Sequence, residues 1–348
     1  MALPFALSLL RALRGMAPSP SLVVLAFAMC AAAGGARAEE PGVPPLYELD
    51  PVIAQRLLEL DPSHITSADV TEVLTQFAAP RIILLQGSVA LVSMDSFAEF
   101  LAAMGYPAER MTDPRDGTQS TSSFMDSRKL AGTVAWYYET EGMRPVLIGH
   151  SQGGMLAIRV LYELAGAFDD RIPVWNPLTD QPEPRTTFID PTTGEPRPVV
   201  GLRMPYVAAI ATGKLPRLLL GQWSMLAKLR KIPDSVVDFT GFAMDWDFIA
   251  GQFAGSDPYE ATGSATVRNV TLPSWYTHIG LPQARHLAVN PITRAWIDAY
   301  VPDAKVAVPD GPGVDTTNLV HAADIWYSVK KNWCISAQRR LLASRVLQ

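Results

Sequence analysis

Gly149-His150-Ser151-Gln152-Gly153 fits the pattern G-x-S-x-G, and a third glycine, Gly154, follows it. A branched apolar run, PVLI (Pro145 to Ile148), leads into it, and a long apolar stretch, MLAIRVLYELAGAF (Met155 to Phe168), leads out. A sharp turn from strand to helix holds the central serine in a strained backbone conformation, where bulky residues two positions either side would collide with neighbouring chain. Glycine at 149 and 153 removes those collisions, and Gly154 lets the helix pack close. The turn lifts the Ser151 hydroxyl to the N-terminus of a helix, whose dipole favours negative charge. Nucleophilic attack suits this arrangement; a glycine turn without chemistry is the competing reading. The string alone is common, so its setting carries the information.

A nucleophilic serine needs a base. The chain has five histidines. His64 lies upstream of the sheet, and His150 lies inside the turn, where it suits a supporting role better than that of base. His278, His286 and His321 lie downstream of Ser151. For the carboxylate that orients a base, Asp245 and Asp247 flank Trp246 in the largely apolar stretch TGFAMDWDFIAG. A carboxylate buried there needs a partner. A histidine would be one, and capping the next turn is the plain alternative. Asp257 and Asp315 are further candidates.

The elements that must position these residues alternate. RIILLQG (Arg81 to Gly87) reads as a strand buried on both faces, SFAEFLAAMGY and SRKLAGTVAWYYETEG as helices, and PVLIG as the next strand. Two short helices precede them, at IAQRLLEL and SADVTEVLTQF, with Ser67 as N-cap of the second. Strand character returns at PYVAAIAT, near VTLPSWYTH and at AKVAVP. Helical patterns cover GQWSMLAKLRK, ITRAWIDAY and a C-terminal segment from about Ala322, where Ile325, Val329 and Trp333 share a face. The expected fold class is α/β, a doubly wound and mostly parallel sheet flanked by helices. Insertions are expected at about 169–201, with a protruding hairpin in TTFIDPTTGEPRPVV, and at about 213–242.

In its GHSQGG elbow and in the element order of residues 80–335, the chain resembles the α/β-hydrolase superfamily, most closely the lipase and esterase branch. The resemblance implies a Ser-acid-His order along the chain. It places the base in the loop after the last strand and before the final helix, and His321 stands there, after the short strand AKVAVP and a loop and at the head of HAADIWYSVKKNW. His321 is therefore the expected base and His286 the alternative. The acid is expected at Asp247 or Asp245, one strand earlier. The resemblance also implies an oxyanion hole from the backbone N–H groups of Ser88 and Gln152, with Val89 in place of Ser88 if the loop is one residue longer. Here Gln86-Gly87-Ser88 stands where many relatives carry His-Gly-x. The implied activity is hydrolysis of carboxylic esters through an acyl-enzyme, with neither metal nor organic cofactor. Amide, thioester or polyester cleavage on the same site, or a catalytically silent binding protein, are the alternatives.

Composition bounds the rest. Of 348 residues 48% are hydrophobic and 18% charged, as in an ordinary globular protein. Residues 1–38 read as a secretory signal peptide: Arg11 and Arg14 precede an apolar stretch, and Ala36-Arg37-Ala38 fits the cleavage site. Pro18 and Pro20 interrupt the stretch, so a stable membrane span after processing is not expected. Met29 before Cys30 is too large for the usual lipidation signal. The mature domain, 39–348, carries 26 basic and 34 acidic residues, a net charge of −8, which argues against a nucleic-acid partner. It retains one cysteine, Cys334, and so can form no internal disulfide. The expected location is periplasmic or secreted, and the expected partner a small-molecule or lipid-like ester.

Overall fold

Five strands pair side by side into one sheet, whose buried apolar side chains divide between two cores. In the computed structural model, residues 50–88, 92–214, 217, 218, 220–252, 257–304 and 306–346 are described. The strands are β1 (Ile82–Leu85), β2 (Val146–His150), β3 (Met204–Ile210), β4 (Val236–Met244) and β5 (Thr266–Leu272). They lie in chain order, and every pairing between them is parallel. Parallel neighbours need crossovers that cover the sheet. Ile82, Leu84, Ile148, Tyr206, Phe242 and Leu272 enter the core on one face. Ile83, Leu85, Leu147, Val207, Ala209 and Phe239 enter the core on the other.

Helices fill both faces, as the alternation requires. The first face takes α1 (Pro51–Glu59), α2 (Ser67–Glu72), α3 (Asp95–Ala103), and, later in the chain, short helices at Arg285–Val289 and Pro291–Asp298 and a C-terminal helix at Leu319–Val346. The second face takes α4 (Ser127–Glu141) and α5 (Gln152–Leu164), which pack on each other. The C-terminal helix buries Ile325, Val329 and Trp333, the face expected of it. Asp126 caps α4 by accepting from Lys129 N–H, and Gly142 ends it at φ +77°. At α2 the cap is Thr66 rather than Ser67: Thr66 and Asp69 form a reciprocal capping box, which places Ser67 inside the helix. No helix of the described residues is long and apolar enough to cross a membrane. The signal segment lies outside the described residues.

Three expectations are corrected. AKVAVP forms no strand in its described residues: they lie mostly exposed and do not pair with β5, which stands at the sheet edge and is the last strand among the described residues. GQWSMLAKLRK forms no α-helix: it holds one 3₁₀ turn, Trp223–Met225, followed by turns, and its last residue, Lys231, begins a two-residue strand, Lys231–Ile232. The insertion expected at 213–242 stops short of Val236, where central strand β4 begins. The hairpin in the 169–201 insertion is present, with Thr187–Ile189 antiparallel to Pro196–Pro198.

Candidate active site

At the end of β2 the chain turns directly into α5 through Ser151, whose φ of +52° and ψ of −113° few residues adopt. Backbone contacts hold the strain. Ser151 N–H donates to Ile210 O at 2.7 Å, and Ser151 O accepts from the Thr212 hydroxyl at 3.0 Å. The glycines explain themselves by what a side chain would strike. A Cβ on Gly149 would meet the backbone of Gly153, and one on Gly153 the carbonyl of Leu85 at the end of β1. A Cβ on Gly154 would drive into the Thr212 hydroxyl.

His278 meets the serine. Its Nε2 stands 2.9 Å from Ser151 Oγ, and its Nδ1 stands 2.7 Å from Asp247 Oδ2. The carboxylate faces Nδ1, so that nitrogen carries the proton and Nε2 presents a lone pair to the hydroxyl. Both partners are enclosed, with His278 8% exposed and Asp247 5%. Asp247 is delivered by a turn three residues beyond β4. There Trp246 takes a φ of +63°, Ala250 N–H donates to Asp247 Oδ1 at 3.0 Å, and Gln252 N–H donates to Asp247 O at 2.8 Å. The carboxylate thus accepts from both a backbone amide and the imidazole, which satisfies a buried charge. His278 begins a 3₁₀ turn, six residues beyond β5. Asn318 braces that turn by donating to Gly280 O and Gln283 O, each at 2.8 Å.

His321, the base expected from sequence, does not reach Ser151. It is fully buried, its Nε2 donates to Leu281 O at 2.8 Å, and its ring stacks on Phe97 at a centroid distance of 6.2 Å. Burial lowers its pKa to about 4, so it stays neutral. The physical reason is the strand count: without a strand at AKVAVP, the loop after the last strand is the one carrying His278. His321 instead buttresses that loop three residues further on. His286 hydrogen-bonds Thr317 O at 3.2 Å, lies 3.6 Å from Asp315, and stands outside the Ser151–His278–Asp247 chain. Asp245 is half-buried and stands outside the Ser151–His278–Asp247 chain, and Asp257 pairs with Lys214 and Arg230.

His150 packs against His278. Its Nε2 donates to the backbone carbonyl of His278 at 2.8 Å, with ring centroids 5.0 Å apart. Burial, and next the neighbouring His278, lower its pKa to about 3. Gln152 is the first residue of α5, so its N–H has no acceptor within the helix. Ser88 lies at an exposed bend after β1, and Gly87 packs closely enough that a Cβ there would sit 3.1 Å from His150 Nδ1. Val89, the other oxyanion candidate, is outside the described residues.

Apolar side chains stand exposed near Asp247 and His278 in the chain: Trp246, Phe248 and Ile249, and Trp275 and Ile279. In the connector after β3, Leu218, Leu220 and Trp223 are exposed while Met225 is fully buried; Leu219 is outside the described residues. A cavity of about 220 Å³ borders the elbow, walled by Ser123, Gln152, Met155, Arg159 and Gln222 among others. Among the described residues, no group of three or more His, Cys, Asp or Glu side chains is arranged to hold a metal ion. Comparison with family models and with curated proteins finds no match to this chain.

Proposed function

We propose that the protein is an exported serine hydrolase of the α/β-hydrolase fold that cleaves carboxylic esters through an acyl-enzyme. The observation that carries this reading is the continuous chain from Ser151 Oγ through both nitrogens of His278 to Asp247, set on a strained strand-to-helix turn. In the proposed reaction Ser151 Oγ attacks the ester carbonyl while His278 Nε2 takes its proton. Asp247 holds the ring in the required tautomer and stabilises the imidazolium. The N–H groups of Gln152 and Ser88 receive the oxyanion, each such donor being worth roughly 10²–10³ in rate. His278 then protonates the leaving alcohol, and water, activated by the same ring, releases the acid. The exposed apolar side chains near Asp247 and His278 in the chain favour an apolar ester over a small polar one. Residues 1–38 would direct export and be removed after Ala38.

The test is the purified mature chain assayed on aryl esters of graded acyl length, together with a fluorophosphonate probe. The expected result is hydrolysis with a preference for longer acyl chains, and labelling that disappears in Ser151→Ala. A wild type that neither hydrolyses any of these esters nor takes the label sinks the reading.

A further inference from the structure

Arg217 is buried beside the elbow, and no carboxylate among the described residues pairs with it. It is 1% exposed and sits in the connector that follows β3, where its N–H donates to Lys214 O at 3.0 Å. Its Nη1 donates to the side-chain oxygen of Gln152, the residue after the nucleophile, and to Gln222 Oε1 at 2.6 Å. Its Nε has no partner among the described residues, and no Asp or Glu there forms an ion pair with it. Two other enclosed arginines are paired with carboxylates: Arg81 with Glu141, and Arg230 with Asp257. Burial pulls the Arg217 pKa down to about 10, which still leaves it charged at neutral pH.

A buried charge without a counter-ion is expensive, and this one lies beside the N-terminus of α5, already the positive end of a helix. Two sources of positive potential therefore converge at the elbow, and among the described residues no carboxylate pairs with Arg217. An anion that exists only during the reaction would compensate both. We propose that Arg217 is a positioning residue whose fixed charge, held against the Gln152 side chain, stabilises the oxyanion that forms at Ser151. The role rests on the hydrolase reading above. Its chemistry is that of a preorganised dipole site: the guanidinium is oriented by two amide oxygens before the substrate arrives, so nothing need reorganise as charge develops. The connector is fixed at a second point. A Cβ on Gly213 would overlap the Ala250 carbonyl, in the turn whose Ala250 amide holds Asp247. The same short segment thus touches the elbow and the acid.

The experiment compares wild type with Arg217→Gln and Arg217→Lys on an aryl ester and on an aryl boronic acid. Boron accepts the Ser151 Oγ electron pair while the hydroxyl proton passes to His278, giving an anionic tetrahedral adduct. The expected result for Arg217→Gln is a fall in kcat of roughly 10–100-fold with KM within about twofold, and boronic acid binding weakened by the same factor. Arg217→Lys should recover most of the loss, and the thermal midpoint of Arg217→Gln should equal or exceed that of wild type. Wild-type kcat in Arg217→Gln, or a change confined to KM, overturns the role. So does an Arg217→Gln that melts lower or fails to fold, because the charge then serves the fold. An active wild type separates these outcomes from failure of the hydrolase reading, which an inactive and unlabelled wild type would show.

Discussion

At the scale of single residues, two histidines compete for one role, and geometry separates them. His278 touches both Ser151 and Asp247, whereas His321 touches the carbonyl of Leu281 and the ring of Phe97. His278→Ala should lower kcat by roughly 10³–10⁶ while leaving the fold intact. His321→Ala should keep kcat within about tenfold but cost about 2–4 kcal/mol of stability, from the cavity and the lost hydrogen bond. Asp247→Asn should cost roughly 10⁴ in kcat, and Asp245→Asn far less. Steady-state kinetics beside denaturant unfolding read all four; an active His278→Ala would remove the proposed base. The nucleophile was legible in the sequence because glycine spacing records a local collision. Asp247 was half-legible, since Asp245 shares its apolar setting, and it is the positive φ of Trp246 that turns Asp247 inward.

Elements explain why the proposed base, His278, was hidden. Assigning it from sequence depends on counting strands, and AKVAVP carries alternating valines that read as a strand. In the fold it is exposed and follows the last strand rather than forming it. The signal for His278 was present all the same: VTLPSWYTH leaves β5 at Leu272 and reaches the histidine six residues on. Strands β1 to β3 were legible because burial on both faces leaves nearly unbroken apolar runs. The connector after β3 was not, because its placement rests on long-range contacts such as Gly213 against Ala250. Those contacts carry a prediction of their own. Gly213→Ala must push the connector or the acid turn aside, loosening the Ala250 amide from Asp247. It should lower kcat at least tenfold with a destabilisation of about 1–3 kcal/mol. Unchanged kinetics in a folded Gly213→Ala would show that the acid turn tolerates the shift.

For the whole molecule, the two buried neutral histidines make acid the direction of weakness. His150 titrates near pH 3 and His321 near pH 4 in the fold, both chiefly because burial disfavours the imidazolium. In the unfolded chain each returns to about 6.5. Between about pH 6.5 and about pH 4 the unfolded state therefore binds protons that the folded state refuses. Unfolding free energy falls as pH falls through that window, by up to ~1.4 kcal/mol per pH unit for each histidine, and neither contributes above about pH 7. Carboxylates held low by hydrogen bonds, such as Asp190, add their own loss only further down, through the carboxylate range near ~4. The early part of the acid slope thus belongs to the histidines. Denaturant unfolding at pH 7.5, 6.0 and 5.0 should show stability declining steadily, with activity of the folded fraction retained after return to neutral pH. His321→Gln can still donate to Leu281 O but cannot take up a proton, so its slope between pH 6.0 and 5.0 should be about half that of wild type. A wild-type stability that is flat between pH 7.5 and 5.0 would mean that these rings are hydrated or already protonated in the fold.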